Sequence, residues 1–206
     1  MDNVTLEGHH VLLEPLSLEH GPLLLEAATQ SRDSYAFTNV PQDLPAMLEY
    51  VETALIGKEN RTIYPFTTID TKTGRVIGST RFGDIQFWNW PEGSKYQRGE
   101  HLPDSVEIGW TWLAADAQRT GVNTEAKLLM LTLAFESWNV HRVRLRTDSR
   151  NERSSNAIER LGARFDGVVR ADSAAFDGEI RDTAIYSIVD SEWPDVKNGL
   201  AKRLSV

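Results

Sequence analysis

A polar, glycine-bearing hexamer, QRTGVN at Gln118–Asn123, stands directly before a long apolar run. A strand followed by such a turn and a helix start can hold phosphate. The first helical N–H groups lack intrahelical partners, and the helix dipole adds partial positive charge. Gly121 would let the backbone approach a pyrophosphate closely, and Arg119 would supply the only nearby formal positive charge. A capped helix with Asn123 or Thr124 as N-cap explains the same residues without a ligand.

The sequence lacks several motifs that would indicate other chemistry. Neither GxGxxG nor GxxxxGK[ST] occurs, which disfavours dinucleotide and P-loop nucleotide binding. The absence of cysteine excludes disulfides, thiolate nucleophiles and cysteine metal sites. The five histidines show no metal-ligand spacing such as HExxH, so we predict no metal. His101, in a long polar connection, is the histidine to consider for a substrate role.

The order of elements that must position the hexamer follows from hydrophobic periodicity and turn signals. It reads strand, two helices, three strands, helix, strand, helix, two strands, helix. This order predicts an α/β or α+β protein with one mixed sheet and helices on both faces. No repeat or Gly/Ser linker interrupts the chain, so we expect a single domain over residues 1–206, with a core at about 9–189 and a C-terminal segment at 190–206.

The strand VEIGWTWL precedes the hexamer and alternates apolar and other residues. Val106, Ile108, Trp110 and Trp112 should share one face, opposite Glu107, Gly109 and Thr111. The connection before this strand, residues 88–105, is long for a compact domain. Its aromatic residues Trp88, Trp90 and Tyr96 would form a lid over an acceptor, or else pack against the domain.

Composition places the chain among ordinary globular proteins, with 40% hydrophobic and 25% charged residues. The formal net charge of -8 argues against general nucleic-acid binding, which requires clustered Lys and Arg. It is compatible with a cationic substrate, although most net charge only maintains solubility. No signal peptide and no membrane-length apolar run occur, so we expect a cytoplasmic protein without membrane association.

The hexamer and its surroundings resemble the GCN5-related N-acetyltransferase (GNAT) superfamily, whose acyl-CoA signature is Gln/Arg-x-x-Gly-x-Gly/Ala. The strand VEIGWTWL, the NTEA that opens the next helix, and TDSRNERSSNAIERLGARFDG further resemble the RimJ/RimL branch, which acetylates protein N-termini. The similarity extends from about Val11 to Ser187 and is most specific over Val106–Gly167. Asn123 departs from the signature, where the family carries Gly or Ala. An Asn tolerates a left-handed backbone, so we expect the loop to form.

The resemblance implies a GNAT fold, with a twisted, mostly antiparallel sheet of six to seven strands, and acetyl-CoA as co-substrate. It implies that backbone amides from Arg119 to Thr124 hold the CoA pyrophosphate. The end of the WTWL strand, about Trp112 to Ala114, would hydrogen-bond the pantetheine arm, and Asn151 at the start of the NERSSNAIERLG helix would contact it. It further implies that Ser154 protonates the departing thiolate. The RimI-type tyrosine is absent, because that position is Ile158. The implied cofactor-binding set is Trp112, Leu113, Ala114, Gln118, Arg119, Thr120, Gly121, Val122, Asn123, Thr124 and Asn151.

Acyl transfer from a thioester to an amine requires deprotonation of the amine, donors for the oxyanion, and departure of the thiolate. Without cysteine or a GxSxG elbow, direct attack in a ternary complex is favoured over a covalent acyl-enzyme. Glu107 is the predicted base, acting directly or through water; the alternative is an exposed carboxylate in a surface ion pair. For Ser154 the alternative is a serine that closes on nearby backbone as part of the helix cap.

The leading hypothesis is therefore an acetyl-CoA-dependent N-acetyltransferase. Its acceptor would be a protein N-terminal α-amine or the primary amine of a small molecule. A non-catalytic acyl-CoA-binding sensor or interaction module is a second hypothesis, and a nucleotide-binding protein that uses the same loop is a third. A homodimer is possible, with an edge strand or the segment around Trp193 as contacts.

Overall fold

The computed structural model of the chain describes residues 4–99 and 101–205. One sheet of eight strands, in the spatial order β1-β2-β3-β4-β5-β6-β8-β7, forms the centre of the molecule. The strands are β1 Leu6–Glu7, β2 Val11–Pro15, β3 Tyr64–Asp70, β4 Val76–Gln86, β5 Ser105–Leu113, β6 Arg142–Asp148, β7 Arg164–Ala174 and β8 Ile180–Val189. All neighbouring pairs are antiparallel except β5 and β6, so the predicted mixed, mostly antiparallel sheet is confirmed. The two-residue β1 adds one strand to the six to seven expected.

Five α-helices flank the sheet in the predicted order. They are α1 Gly21–Thr29, α2 Leu44–Glu59, α3 Gly121–Thr132, α4 Glu152–Arg160 and α5 Trp193–Leu204, and a π-helical turn at Leu133–Ser137 continues α3. In β4, Ser79 accepts a hydrogen bond from Tyr50 of α2, whereas the next residue, Thr80, accepts one from Lys127 of α3. Successive strand residues point to opposite faces, so α2 and α3 cover opposite faces of the sheet. No helix within the described ranges is long and apolar enough to span a membrane.

The parallel pair of β5 and β6 separates soon after it begins. Only Ser105, Val106 and Glu107 pair with β6, opposite Arg142–Arg144. Beyond these residues β5 continues to Leu113 and β6 to Asp148 without pairing between them. A gap therefore opens in the sheet at the C-terminal ends of the two strands, directly before the predicted phosphate-binding turn.

The predicted alternation along β5 is wrong at Trp110. The register of the β4–β5 pair shifts between Ser79 and Arg81, and Trp110 has φ 50°. This irregularity turns the Trp110 ring away from the Val106 face, leaving it 42% exposed and against Gly83. A Cβ at residue 83 would lie 2.5 Å from the ring, so glycine is required there. Alternation in a sequence gives no sign of a bulge of this kind.

The long connection before β5 packs on the N-terminal end of the β5–β6 pair. The Trp88 ring stacks on His141 at 5.6 Å, and Asp104 accepts hydrogen bonds from the Trp88 N–H and the Trp90 Nε1. These contacts confirm packing against the domain. The proposed lid of Trp88, Trp90 and Tyr96 is wrong, because their rings meet His141 at the end of the strands opposite the gap.

The C-terminal helix packs on the body of the protein. Trp193 is buried, its ring stacks on Phe135 at 5.3 Å, and its Nε1 donates to Glu136. The Trp193 side chain is therefore part of the core, and a dimer contact of the segment around it stays a prediction.

Candidate functional site

A cavity of about 840 Å³ fills the gap between β5 and β6. Its wall comes from the α1–α2 connection, α2, the centre of β5, the N-terminal turn of α3, the end of β6 and α4. Glu107, Ser154 and eight of the eleven predicted cofactor-binding residues line it, whereas Ala114, Gly121, Val122 and His101 do not. The eight are Trp112, Leu113, Gln118, Arg119, Thr120, Asn123, Thr124 and Asn151.

The turn before α3 presents unpaired backbone donors. Thr120 is the N-cap, and its Oγ1 accepts the Val122 N–H at 3.3 Å. The N–H groups of Arg119, Thr120 and Gly121 have no hydrogen-bond partner among the described residues. The capping prediction for Asn123 or Thr124 is wrong, because the helix already begins at Gly121.

The left-handed residue of this turn is Arg119, with φ 61°, and Asn123 lies within the helix. The departure of Asn123 from the family signature therefore involves a helical position, and its tolerance of a left-handed backbone is not needed. Gly121 also has another role than expected. A Cβ at residue 121 would lie 2.9 Å from the His10 ring, so this glycine makes room for a side chain of the protein.

Helix α4 adds positive charge beside this turn. Arg153 and Arg160 line the same cavity as Arg119, so Arg119 is not the only cation there. Arg153 Nη2 donates to Gln118 Oε1 at 2.6 Å, and Gln118 Nε2 donates to Ser34 and to the Leu113 carbonyl. Gln118 thus ties α4 to β5 and to the α1–α2 connection. The two arginines lie about two turns apart on a later helix, so the hexamer itself gave no sign of them.

The end of β5 offers fewer free backbone groups than predicted. The Leu113 carbonyl accepts from Tyr35 Oη at 3.0 Å and from Gln118 Nε2 at 2.8 Å, which uses both of its lone pairs. The Ala114 N–H donates to the Ile77 carbonyl at 2.7 Å. An added strand along β5 would therefore bond before Leu113, towards Gly109.

Helix α4 carries two of the predicted residues at its start. Asn151 is its N-cap, and its Oδ1 accepts the Ser154 N–H at 3.1 Å. The Ser154 hydroxyl lines the cavity and has no hydrogen-bond partner in the described part of the chain. Asn151 performs the capping, which leaves the serine hydroxyl available to a ligand.

Glu107 is buried, 4% exposed, at the point where β5 and β6 separate. Arg146 of β6 places its Nε 2.7 Å from the Glu107 Oε2. Burial raises the pKa of the Glu107 carboxyl above its ordinary value, although the Arg146 charge acts in the opposite direction. The alternative of an exposed strand carboxylate is wrong. A buried carboxyl of raised pKa in a cavity has the properties of a general base.

Lys127 of α3 forms part of the cavity wall. The mostly apolar sequence of this helix did not predict a buried lysine there. Its Nζ donates to Thr111 Oγ1 at 2.6 Å and to Thr80 Oγ1 at 3.2 Å. No carboxylate of the described residues lies within ion-pair distance of it. Burial lowers the pKa of the Lys127 ammonium to about 7.

The cavity wall is basic although the chain is acidic overall. Seven basic side chains line it against three acidic ones. The basic set is Arg81, Arg119, Lys127, Arg146, Arg153, Arg160 and Arg181, and the acidic set is Glu49, Glu107 and Asp148. A cationic acceptor, which the net charge of -8 would permit, is not favoured by this wall. The described residues hold no cluster of His, Cys, Asp or Glu suited to a metal, and the expectation of no metal stays a prediction.

Comparison with known proteins agrees with this architecture. Residues 10–164 match the family described as "Acetyltransferase (GNAT) domain". YdaF of Bacillus subtilis (strain 168), whose name proposes a ribosomal N-acetyltransferase, is 33% identical over 92 residues. That match covers 45% of this chain and 49% of YdaF, so it spans about half of this curated relative.

Solved structures share the whole fold. A GCN5-related N-acetyltransferase from Brucella melitensis is 25% identical, with a TM-score of 0.82 over 99% of this chain and 86% of that one. Mycobacterium smegmatis RimJ in complex with CoA-disulfide has a TM-score of 0.76 over 94% of this chain and 88% of that one. At 17% identity it shows the fold alone. The family match covers most of the chain, and the chain belongs to the GNAT acetyltransferase family.

Proposed function

We propose that the protein is an acetyl-CoA-dependent N-acetyltransferase that acts on a primary amine by direct attack in a ternary complex. The observation that carries the proposal is one continuous cavity, lined at one end by Arg119 and Thr120 with their unpaired amides and at the other by the buried carboxyl of Glu107. At the Arg119 end of the cavity, the N-terminus of α3 and three arginines favour the binding of phosphates. They are Arg119, Arg153 and Arg160. The RimJ-like fold, seen elsewhere with a CoA derivative, supports the same choice.

The geometry suggests how the residues of this chain divide the reaction. Arg119, Arg153 and Arg160 hold the phosphates, and the unpaired stretch of β5 before Leu113 bonds the pantetheine arm. Glu107 takes the proton of the amine as its nitrogen attacks the thioester carbonyl carbon. Ser154 donates its hydroxyl proton to the thiolate as the C–S bond breaks, and regains a proton from solvent. The acyl group is transferred directly, without a covalent acyl-enzyme intermediate, and the protein contains no cysteine that could form one.

The acceptor is a protein N-terminal α-amine or a small primary amine. The partial similarity to YdaF favours a ribosomal-protein N-terminus. We propose a cytoplasmic location, which is compatible with both kinds of acceptor and does not separate them.

Steady-state release of CoA tests the proposal on amines that include N-terminal peptides and small molecules. We expect turnover with at least one class, and a Glu107→Gln variant should lose about 10²–10⁴-fold in kcat, the usual contribution of a general base. Its KM for acetyl-CoA should stay within about twofold, because Glu107 lies away from the phosphate end. Glu52→Gln, an exposed carboxylate on α2, is the matched control and should match the wild type.

The pH profile adds a second readout. The base must be deprotonated, so the rate should fall at acidic pH through the raised pKa of Glu107, and this limb should be absent from Glu107→Gln. Tight CoA binding without turnover of any amine would instead indicate a non-catalytic acyl-CoA-binding module. Calorimetric binding of ATP or NAD tighter than that of CoA would contradict the choice of cofactor.

A further inference from the structure

Arg81 is a buried cation without a counter-ion. It is 3% exposed, borders the cavity from β4, and has no carboxylate of the described residues within ion-pair distance. Its Nε and Nη2 are buried without a hydrogen-bond partner. An uncompensated buried charge is costly, and an arginine cannot lose its proton to avoid that cost. A group in this state is therefore a candidate for pairing with a ligand.

Two aromatic rings hold the guanidinium in place. Its Cζ lies 4.6 Å from the Tyr50 ring centroid and 5.2 Å from that of Trp110. Trp110 reaches this position only because of the irregularity in β5 and the absence of a side chain at Gly83. Ring faces stabilise a guanidinium without occupying its N–H donors. The local irregularity of β5 thus serves to fix a charge whose donors stay unpaired.

The register of the sheet places Arg81 at the Glu107 end of the cavity. Arg81 pairs with Gly109, and Glu107 points to the same face because it lies two residues away on β5. A Cβ at Gly109 would be 3.2 Å from Glu107 Oε1, so the carboxylate extends along the strand towards the level of Arg81. From Gly109 to Leu113 is about 13 Å of strand at about 3.3 Å per residue, so Arg81 is remote from the phosphate-binding turn.

We propose that Arg81 binds a carboxylate of the acceptor, so that the substrates are primary amines carrying a carboxylate a few bonds from the nitrogen. This rests on the proposed function, since it assigns the Glu107 end of the cavity to the acceptor. A carboxylate matches the planar donor set of a guanidinium, and the ion pair would supply the missing counter-ion. The amine would then lie beside Glu107. The same chemistry occurs in free amino acids and in peptides that begin with Asp or Glu.

Acceptor pairs that differ only in the carboxylate test the proposal. Free amino acids and their carboxamides form one arm; peptides that begin with Asp or Glu, compared with Asn or Gln, form the other. In at least one arm we expect the wild type to have a kcat/KM about tenfold or more higher for the acceptor with the carboxylate than for its amide counterpart. The arm that shows this preference indicates whether the acceptor is a free amino acid or a peptide. Arg81→Gln should abolish the preference, and Arg81→Lys should keep part of it. The KM for acetyl-CoA should change less than about twofold. Arg75→Gln, an exposed arginine paired with Asp116, is the control.

A binding measurement separates this proposal from the proposed function. N-acetyl amino acids are product-like and should raise the melting temperature of the wild type more than their carboxamides do, and this difference should vanish in a folded Arg81→Gln variant. The same result without acetyl transfer to any amine would support the Arg81 site and contradict the enzyme. A wild type that treats acid and amide alike, or an Arg81→Gln variant that keeps the preference, would overturn the Arg81 proposal while leaving acetyl transfer intact.

Discussion

The two ends of the β5–β6 pair differ in how their polar groups are satisfied. At the N-terminal end Asp104 accepts two N–H groups of the preceding connection, and Arg98 forms an ion pair with Asp190. At the C-terminal end three polar groups face the cavity: among the described residues, Arg81 and Lys127 have no carboxylate within ion-pair distance, and the Ser154 hydroxyl has no hydrogen-bond partner. Buried polar groups are usually satisfied, so the closed end stabilises the fold, whereas at the open end the proposed substrates would supply the missing partners.

Within the open end, Lys127 and Arg81 differ in how they respond to burial. Both are buried cations without a carboxylate, but they lie on opposite faces of the sheet and respond differently to burial. Lys127 donates to two threonine hydroxyls and has its pKa lowered to about 7, so it can become neutral. Arg81 cannot. The neutral form removes the need for a ligand at Lys127, whereas Arg81 keeps that need.

The largest expected effect is a pH dependence of stability caused by Lys127. Its pKa is about 7 in the folded protein and about 10.4 in the unfolded chain, so the unfolded state binds more protons between these values. Its contribution therefore makes the free energy of unfolding rise with pH across this window, by at most about 1.4 kcal/mol per pH unit. Lys127→Met should lose this rise.

Urea unfolding of the wild type and Lys127→Met at several pH values from 7 to 9 measures the effect, since other titrating groups cancel in the difference. Lys202→Met, at an exposed lysine of α5, is a control for the loss of one lysine. Parallel curves for the wild type and Lys127→Met would mean that Lys127 stays charged in the folded protein. The distinction drawn between the two buried cations would then fail.

An intermediate effect is expected at the closed end. Asp104→Asn keeps one acceptor oxygen but turns its NH₂ group towards another donor, the Trp88 N–H or the Trp90 Nε1. Lost hydrogen bonds to a buried carboxylate should lower the free energy of unfolding by about 2 kcal/mol. Thermal or urea unfolding checks this, with exposed Asp195→Asn as the matched control. The kcat/KM of the folded variant should stay within about twofold of the wild-type value. A much larger loss would mean that Asp104 at the closed end also affects catalysis at the open end.

Elements with a clear period could be predicted from the sequence, and long-range pairings could not. The order of strands and helices follows local periodicity and turn signals, and α2, β3 and β4 formed in the predicted order. Arg81 and Glu107 lie on different strands joined by a long connection, so the place of Arg81 beside Gly109 depends on a register that the sequence does not display. The irregularity at Trp110 and the His10 ring against Gly121 are likewise set by tertiary contacts. The turn before α3, with its unpaired amides, could be predicted because its donors lie in one short segment.

The smallest of these effects is expected at Ser154. Ser154→Ala should lower kcat about tenfold, since the loss of one proton donor to a thiolate leaves water to replace it, while the KM for acetyl-CoA should hardly change. Ser155→Ala is the matched control, because the neighbouring residue of α4 does not line the cavity. Ser154→Thr keeps a hydroxyl and should recover part of the rate. If the Ser154 hydroxyl does not donate a proton, Ser154→Ala and Ser154→Thr should have equal rates. Glu107 would then be the only residue proposed for proton transfer at the open end.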